Sequence, residues 1–467
     1  MPDKLRHAFH SILRWKPDRL GFRIPGRVLA LLGAAALSGC SASHGTNPHL
    51  GADAIDTGDT AFMLVSAALV MLMTPALALF YGGLVRAKNV LSILMQSFIA
   101  LGVITFIWLL YGYSLAFSPS LVAPGGYGLI GSLDWVGARN VGMTPHPVYC
   151  PTVPHRLFMI YQCMFAIITP ALISGAFAER MKFKTYLVFI VVWSTLVYIP
   201  VAHWVWSENG WLRRIGSLDF AGGTVVHMTS GFTALVAAVM IRPRHGFPRQ
   251  AFIPHNLVLT LIGVGLLWVG WFGFNAGSAI GSGQLAVVAF VATHCAAAGG
   301  AFAWTLYDWL LKDKPTLLGA GSGAVAGLVA VTPASGFVGP LAGFVIGAAA
   351  GVLCAWVVTW RARRGIDDAL DAFGVHGVGG TLGALLTAVF ASAYLNPGIA
   401  GGEGLIHGGF RLLIAQIVAV MVTLLYTLVV SWVVLKALDL TMGLRVSHDE
   451  EQMGLDLTQH GEAAYTN

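Results

Sequence analysis

The chain has 467 residues, 56% of them hydrophobic and only 10% charged, with a mean hydropathy of +0.74 and a formal net charge of +6. A soluble globular domain carries about 25% charged residues, whereas residues 315–360 hold none and 183–206 hold only Lys184, so a soluble fold is excluded. The apolar runs are continuous rather than alternating, which excludes a β-barrel, and the positive balance belongs to loops between spans rather than to a nucleic-acid surface.

In chain order, residues 1–27 are basic, and VLALLGAAAL (28–37) is apolar for ten residues, too short to span and built like the core of a secretory signal. LSGC at 37–40 resembles a bacterial lipoprotein cleavage site, which would make Cys40 the mature first residue. Ordinary cleavage a few residues later, or an unused upstream start codon, are the alternatives. Residues 1–40 are read as the signal and 41–57 as a polar extracytoplasmic linker.

Eleven spans follow, near 59–82, 90–117, 157–178, 185–206, 218–241, 255–276, 284–311, 316–333, 338–360, 371–394 and 410–438. The odd-numbered loops carry thirteen Lys and Arg and the even-numbered loops five. The positive-inside rule therefore places the odd loops and the C-terminus in the cytoplasm and the mature N-terminus outside, in the cell (inner) membrane. An outside N-terminus needs an export signal, which 1–40 supplies. Glycine-rich stretches such as GAGSGAVAG (319–327) and GFVIGAAAGVLCA (343–355) suit closely packed helices. The cysteines have no metal-binding spacing: Cys163, Cys295 and Cys354 read as core residues, and Cys150 lies in an extramembrane loop, where pairing between chains is the minor alternative.

Two stretches stand out. DFAGGTVVHM (219–228) opens the fifth span and DAFGVHGVGG (371–380) the tenth. Five spans separate them, so they cross in opposite directions. That is the pattern of an all-α polytopic protein with two inverted five-helix repeats, a site at the midplane and one helix left over. His227 lies eight residues after Asp219, about 12 Å along a helix, and His376 five after Asp371, about 7.5 Å. Both rings then sit well below the surface and can meet.

Burying an ionisable residue in a membrane costs several kcal/mol and points to function. Two opposed histidines suit three chemistries: haem ligation, metal ligation, or contact with a substrate that donates and accepts hydrogen bonds. A metal usually wants three or four ligands, and no third His or Cys shares their depth. Glycine-packed helices leave little room for a macrocycle. A hydrogen-bonded pair kept neutral by burial offers N–H to a lone pair and N to a hydrogen, and ammonia is a substrate of that kind.

The chain resembles the ammonium transporter family (Amt/Mep/Rh), nearest its bacterial Amt branch. The resemblance runs from about residue 58 to the end and rests on ALFYGGLVRAKNVLS (78–92), ISGAFAERMKF (173–183), SLDFAGGTVVH (217–227), GWFGFNAGSA (270–279), LLGAGSGAVAGLVAVTPASG (317–336) and DAFGVHGVGG (371–380). It implies a membrane domain over 58–445, a homotrimer with one pore in each protomer, no cofactor, no enzymatic activity, and ammonium or ammonia as substrate with methylammonium as analogue. Residue by residue, it implies that Trp206, Ser278 and Tyr161 recruit the cation, Tyr161 departing from the usual Phe. Phe165 and Phe274 form the gate, His227, His376, Trp271 and Phe80 line the pore, and Asp219 shapes the site. The polar tail (446–467) is similar to the family's cytoplasmic tail, which packs on the neighbouring protomer and helps dock a PII signal protein. Competing readings are an ammonium sensor using the same pocket, against which the short tail argues, an Rh-type gas channel, against which Trp206 argues, and a bis-His haem redox protein.

Overall fold

The computed structural model describes residues 54–122 and 126–465. The signal assigned to 1–40, and all but the last few residues of the linker at 41–57, lie outside the described residues. Among the described residues, ten helices are long and apolar enough to cross a membrane: Thr57–Leu84, Ala87–Phe117, His155–Ala176, Phe183–Trp206, Gly223–Ile241, Leu257–Ala279, Gln284–Lys312, Pro340–Arg363, Phe373–Phe390 and Arg411–Thr441. Leu317–Val331, eighth in order, is shorter and equally apolar. These are the eleven spans, with ends within a few residues of the apolar runs. Their starts have local causes: the Asp56 and Thr316 side chains cap the first and eighth, and Pro340 sits in the first turn of the ninth.

The seventh, eighth and ninth spans pack backbone to backbone. A Cβ at Gly327 or Gly347 would collide with the Ala296 carbonyl, and one at Gly300 with that of Gly323. Small residues let the helices close to this distance, where dispersion and weak polar contacts replace the hydrophobic effect that lipid cannot supply.

One end of the molecule carries two short antiparallel hairpins, Ser120–Val122 with Gly128–Gly131 and Pro145–His146 with Cys150–Pro154. Cys150 is fully buried there, its sulfur 3.4 Å from the His146 amide. Packing in the hairpin withholds the thiol, which speaks against the minor alternative of pairing between chains.

The opposite end gathers the basic loops around two buried carboxylates. Asp367 binds Arg180 Nη1 at 2.9 Å and Arg244 Nη2 at 2.8 Å, while Glu179 accepts from the Arg86 amide at 2.7 Å and its Nε at 2.8 Å. Burial alone would raise the Asp367 carboxyl, but hydrogen bonds and charge from Arg244 and Arg180 outweigh it and hold the group below its ordinary value. Burial pushes the Arg180 guanidinium down to about 10, against the pull of Asp367. The cluster ties together the loops after the first, third, fifth and ninth spans.

The tail is clamped across these loops. Ser447 forms a capping box with Glu450 at the start of His448–Met453. Glu451 then accepts from the His245 amide at 2.9 Å and Arg445 at 2.7 Å. Asn89 accepts from the Leu455 amide, Asp456 from the Ser92 amide, and Tyr465 meets His255 Nε2 at 2.9 Å. Within one chain the tail is thus bonded to the loops before the second, fourth and sixth spans.

Candidate functional site: a central pore

The fifth and tenth spans begin differently from the sequence reading. Asp219 lies outside the helix, and the span opens with a π turn, Gly223–Met228, that contains His227. The tenth opens with a π turn, Phe373–Gly377, that contains His376. Such wide turns aim side chains off the regular helical stripe and recur at functional sites. The depth of each histidine is therefore set by this turn and not by a continuous helix running from the Asp.

Asp219 acts as an acceptor for the whole helix start. Its Oδ1 accepts from the amides of Gly222 and Gly223 at 2.8 and 2.7 Å, and its Oδ2 from those of Thr224 and Val225 at 2.8 and 3.2 Å and from the Thr224 hydroxyl. The first amides of a helix have no internal partner, and a carboxylate there also complements the helix dipole. In the tenth span this role falls to Asp368, whose oxygens accept from the Ala372 and Phe373 amides at 3.1 and 2.8 Å. Asp371 does something else. It is partly exposed, pairs with Arg361, and adopts φ +62 where the first repeat has Gly222 at φ +116. The two halves match at Asp219 and Asp368, each eight residues before its histidine, and the pairing of Asp219 with Asp371 is corrected. Asp tolerates the left-handed region better than most residues, which is why a glycine position can carry it.

His227 and His376 meet at Nδ1···Nδ1 3.2 Å, with rings 5.3 Å apart and 19° from parallel. Both are buried. A hydrogen bond between two ring nitrogens needs one protonated and one bare, so the pair shares a single proton there. His227 Nε2 has no partner among the described residues. Glycines permit the approach, each four residues beyond a histidine. A Cβ at Gly231 would strike the Gly377 backbone, and one at Gly380 would come within 3.0 Å of the His227 Cβ.

Trp271 stacks on His227 at 5.4 Å and 23°, its indole donating to Thr332 Oγ1 at 2.9 Å. A narrow, largely apolar cavity of about 10 Å³, the space of a water molecule's centre, lies against both histidines and is walled by Phe80, Trp271 and Phe274. A second cavity of about 220 Å³ reaches His376 from the basic end and is also bounded by Phe80, Phe252 and Arg244. Phe80 thus stands between the two.

On the other side, Phe165 and Phe274 close the approach, their rings 4.2 Å apart and 31° from parallel. Trp206 meets Phe165 edge-on at 5.9 Å. Its indole N–H is committed to the Asp219 carbonyl at 3.0 Å, so its partly exposed face is what remains to offer. Ser278 donates its hydroxyl hydrogen to the Phe274 carbonyl at 2.8 Å and keeps lone pairs to accept with. Tyr161 is placed differently from the expectation. It is fully buried, and its hydroxyl lies against the Gly273 and Phe274 carbonyls, both at 3.0 Å, and 3.3 Å from Ser278 Oγ, so its single proton is engaged within the protein.

Residues 61–465 match the Ammonium Transporter Family. The chain belongs to the ammonium transporter family. It is 50% identical over 409 residues to the ammonium transporter of Bacillus subtilis, covering 87% of this chain and 98% of that one. It is 44% identical to ammonium transporter Amt1 of Archaeoglobus fulgidus, over 88% and 99% of the two chains. Among solved structures it is similar to Candida albicans Mep2, with 36% identity, a TM-score of 0.79 and coverage of 88% and 91%. A sensor Amt protein is also similar in fold, at 27% identity, a TM-score of 0.78 and coverage of 86% and 98%.

Within this ammonium transporter chain, sequence reasoning passed over Asp368, Thr332, Gly231 and Gly380. A signal for three of them was present: both halves carry Asp at minus eight and Gly at plus four from the histidine. Thr332 gave none, because its partner Trp271 lies 61 residues away.

Proposed function

We propose that the chain transports ammonium across the cytoplasmic membrane, recruiting the cation at the Trp206 mouth and passing ammonia along the histidine pair. The observation that carries this reading is the shared-proton His227–His376 contact inside an apolar cavity beneath the two stacked phenylalanines. The indole face of Trp206 attracts a partly dehydrated cation through its quadrupole, and the Ser278 oxygen accepts one of its N–H groups. Below Phe165 and Phe274 the walls are too apolar for a charged ion, so ammonium leaves a proton behind and ammonia continues. The free His227 Nε2 then serves as donor or acceptor toward it. K⁺ has no proton to leave and meets the full cost of dehydration.

Methylammonium-driven current in proteoliposomes tests the reading; absence of any current or uptake overturns it and favours a sensor using the same pocket. Trp206→Leu is expected to raise the half-saturation constant by roughly 5- to 30-fold, the worth of a partly desolvated cation–π contact of about 1–2 kcal/mol. Uptake measured against methylammonium concentration checks this, and an unchanged half-saturation removes Trp206 from recruitment.

The basic loops support a cytoplasmic location for the Arg180–Arg244–Asp367 end by the positive-inside rule; in the proposed reading three protomers assemble and a PII-type protein engages the tail as a regulatory element. Residues 1–40 act as an export signal under the same topology. The intact mass of membrane-extracted protein is expected to begin at Cys40 or shortly after; retention of Met1 contradicts it.

A further inference from the structure

Tyr161 carries a hydroxyl that recruitment does not use. Its oxygen lies 3.0 Å from the carbonyl oxygens of both Gly273 and Phe274 and 3.3 Å from Ser278 Oγ. Those carbonyls stand where the sixth span changes from α-helix, Leu257–Asn275, to a tighter turn, Ala276–Ala279. Carbonyls in the last turn of an α-helix lose their regular amide partners. Ser278, from the same element, supplies one donor to Phe274; Tyr161 supplies another from the third span. The Tyr161 ring sits one turn before Phe165, edge-on at 5.0 Å. A single hydroxyl therefore joins the helix that carries Phe165 to the backbone that carries Phe274. Tyr161 is fully buried, and a hydrogen bond in so enclosed a place is stronger than one in water.

We propose that Tyr161 is a positioning residue that holds the Phe165–Phe274 pair shut by bonding the third span to the end of the sixth, and so sets how often the pair parts. This rests on the reading of that pair as the gate. The phenylalanines themselves have no polar group with which to hold their separation; their contact depends on the backbones behind them. Tyr161 ties those backbones where the sixth helix passes into its tighter final turn, adding a donor from the third span to carbonyls that otherwise bond only within their own segment.

Tyr161→Phe removes the hydroxyl and keeps the ring against Phe165. If one hydrogen bond of ordinary net worth restrains the gate, the maximal rate of methylammonium uptake rises about 2- to 10-fold, while half-saturation stays within about twofold because Trp206 and Ser278 are untouched. In a Phe274→Ala background the same change leaves the rate unaltered, since no stacked pair remains to release; this double-mutant cycle separates gating from a general loosening of the fold. An unchanged or lower rate for Tyr161→Phe, in a protein whose Phe274→Ala variant does transport differently, overturns the role of Tyr161 alone. So does a rate increase of equal size in both backgrounds, or a raised half-saturation, which would return the hydroxyl to recruitment. Phe274→Ala indistinguishable from the unaltered protein overturns the gate reading itself, and the inference with it.

Discussion

Replacing His227 or His376 by alanine is expected to weaken exclusion of K⁺ even where ammonium still passes. In either variant the partner's Nδ1 loses its only ring-to-ring bond and stands unpaired in an apolar cavity, which costs about 1–3 kcal/mol. The lost imidazole also widens a passage that now has space for one water molecule's centre. Water entering that space supplies the hydration that a bare K⁺ lacks. The ratio of ammonium to K⁺ conductance should fall about tenfold for each 1.4 kcal/mol by which that water lowers the K⁺ dehydration barrier. An acidic replacement at one position keeps a polar partner for the remaining ring and retains part of the conduction, as a charged pathway. Conductance of single and double variants with the two ions as rivals decides the matter. Wild-type rates and wild-type K⁺ exclusion in both alanine variants would make the pair structural only.

Asp219→Asn should be more damaging than its small chemical change suggests. One carboxylate oxygen accepts two amides, the other two amides and a hydroxyl. An asparagine turns its NH2 toward one of these sets, facing donor against donor. At least two buried groups lose their acceptor, a loss of roughly 2–6 kcal/mol at about 1–3 kcal/mol each. The turn that carries His227 then has no reason to stay closed, and Trp206 loses the fixed Asp219 carbonyl to which its indole is bound. Uptake is expected to fall to background, with a clearly lowered thermal midpoint. Asp368→Asn deprives a single amide in its tenth-span counterpart, about 1–3 kcal/mol, and weakens a 3.8 Å ion pair with Arg361, which keeps Asp371 and the Ile366 carbonyl as partners, so it should be milder. Equal effects of the two substitutions would show that the carboxylates do more than hold helix starts, and normal uptake by Asp219→Asn would remove Asp219 from shaping the site.

Composition and the order of apolar runs sufficed for the membrane class, the eleven spans and the opposed pair of histidine motifs, because crossing a bilayer imposes length and apolarity on each segment by itself. The same logic brought His227 and His376 together before any coordinates, since opposite directions and similar depth leave few other arrangements. What required the tertiary structure was everything that depends on where a helix begins and what backs it. Asp371 looked like the partner of Asp219 because it is the nearer carboxylate to His376. The shared eight-residue spacing hinted at Asp368, and the amides of Ala372 and Phe373 bonded to it show that the helix start uses it. The family resemblance implies a vestibule role for Tyr161, but a resemblance carries no record of its hydroxyl's partners, which are carbonyls more than a hundred residues further on. Thr332 behind Trp271, the tail bound to its own loops, and Cys150 sealed in a hairpin belong to the same class. A periodic pattern reports which face of a segment avoids water or lipid. It carries no record of which orphaned backbone group, in which other segment, a side chain will meet, because that pairing is settled only when the segments pack.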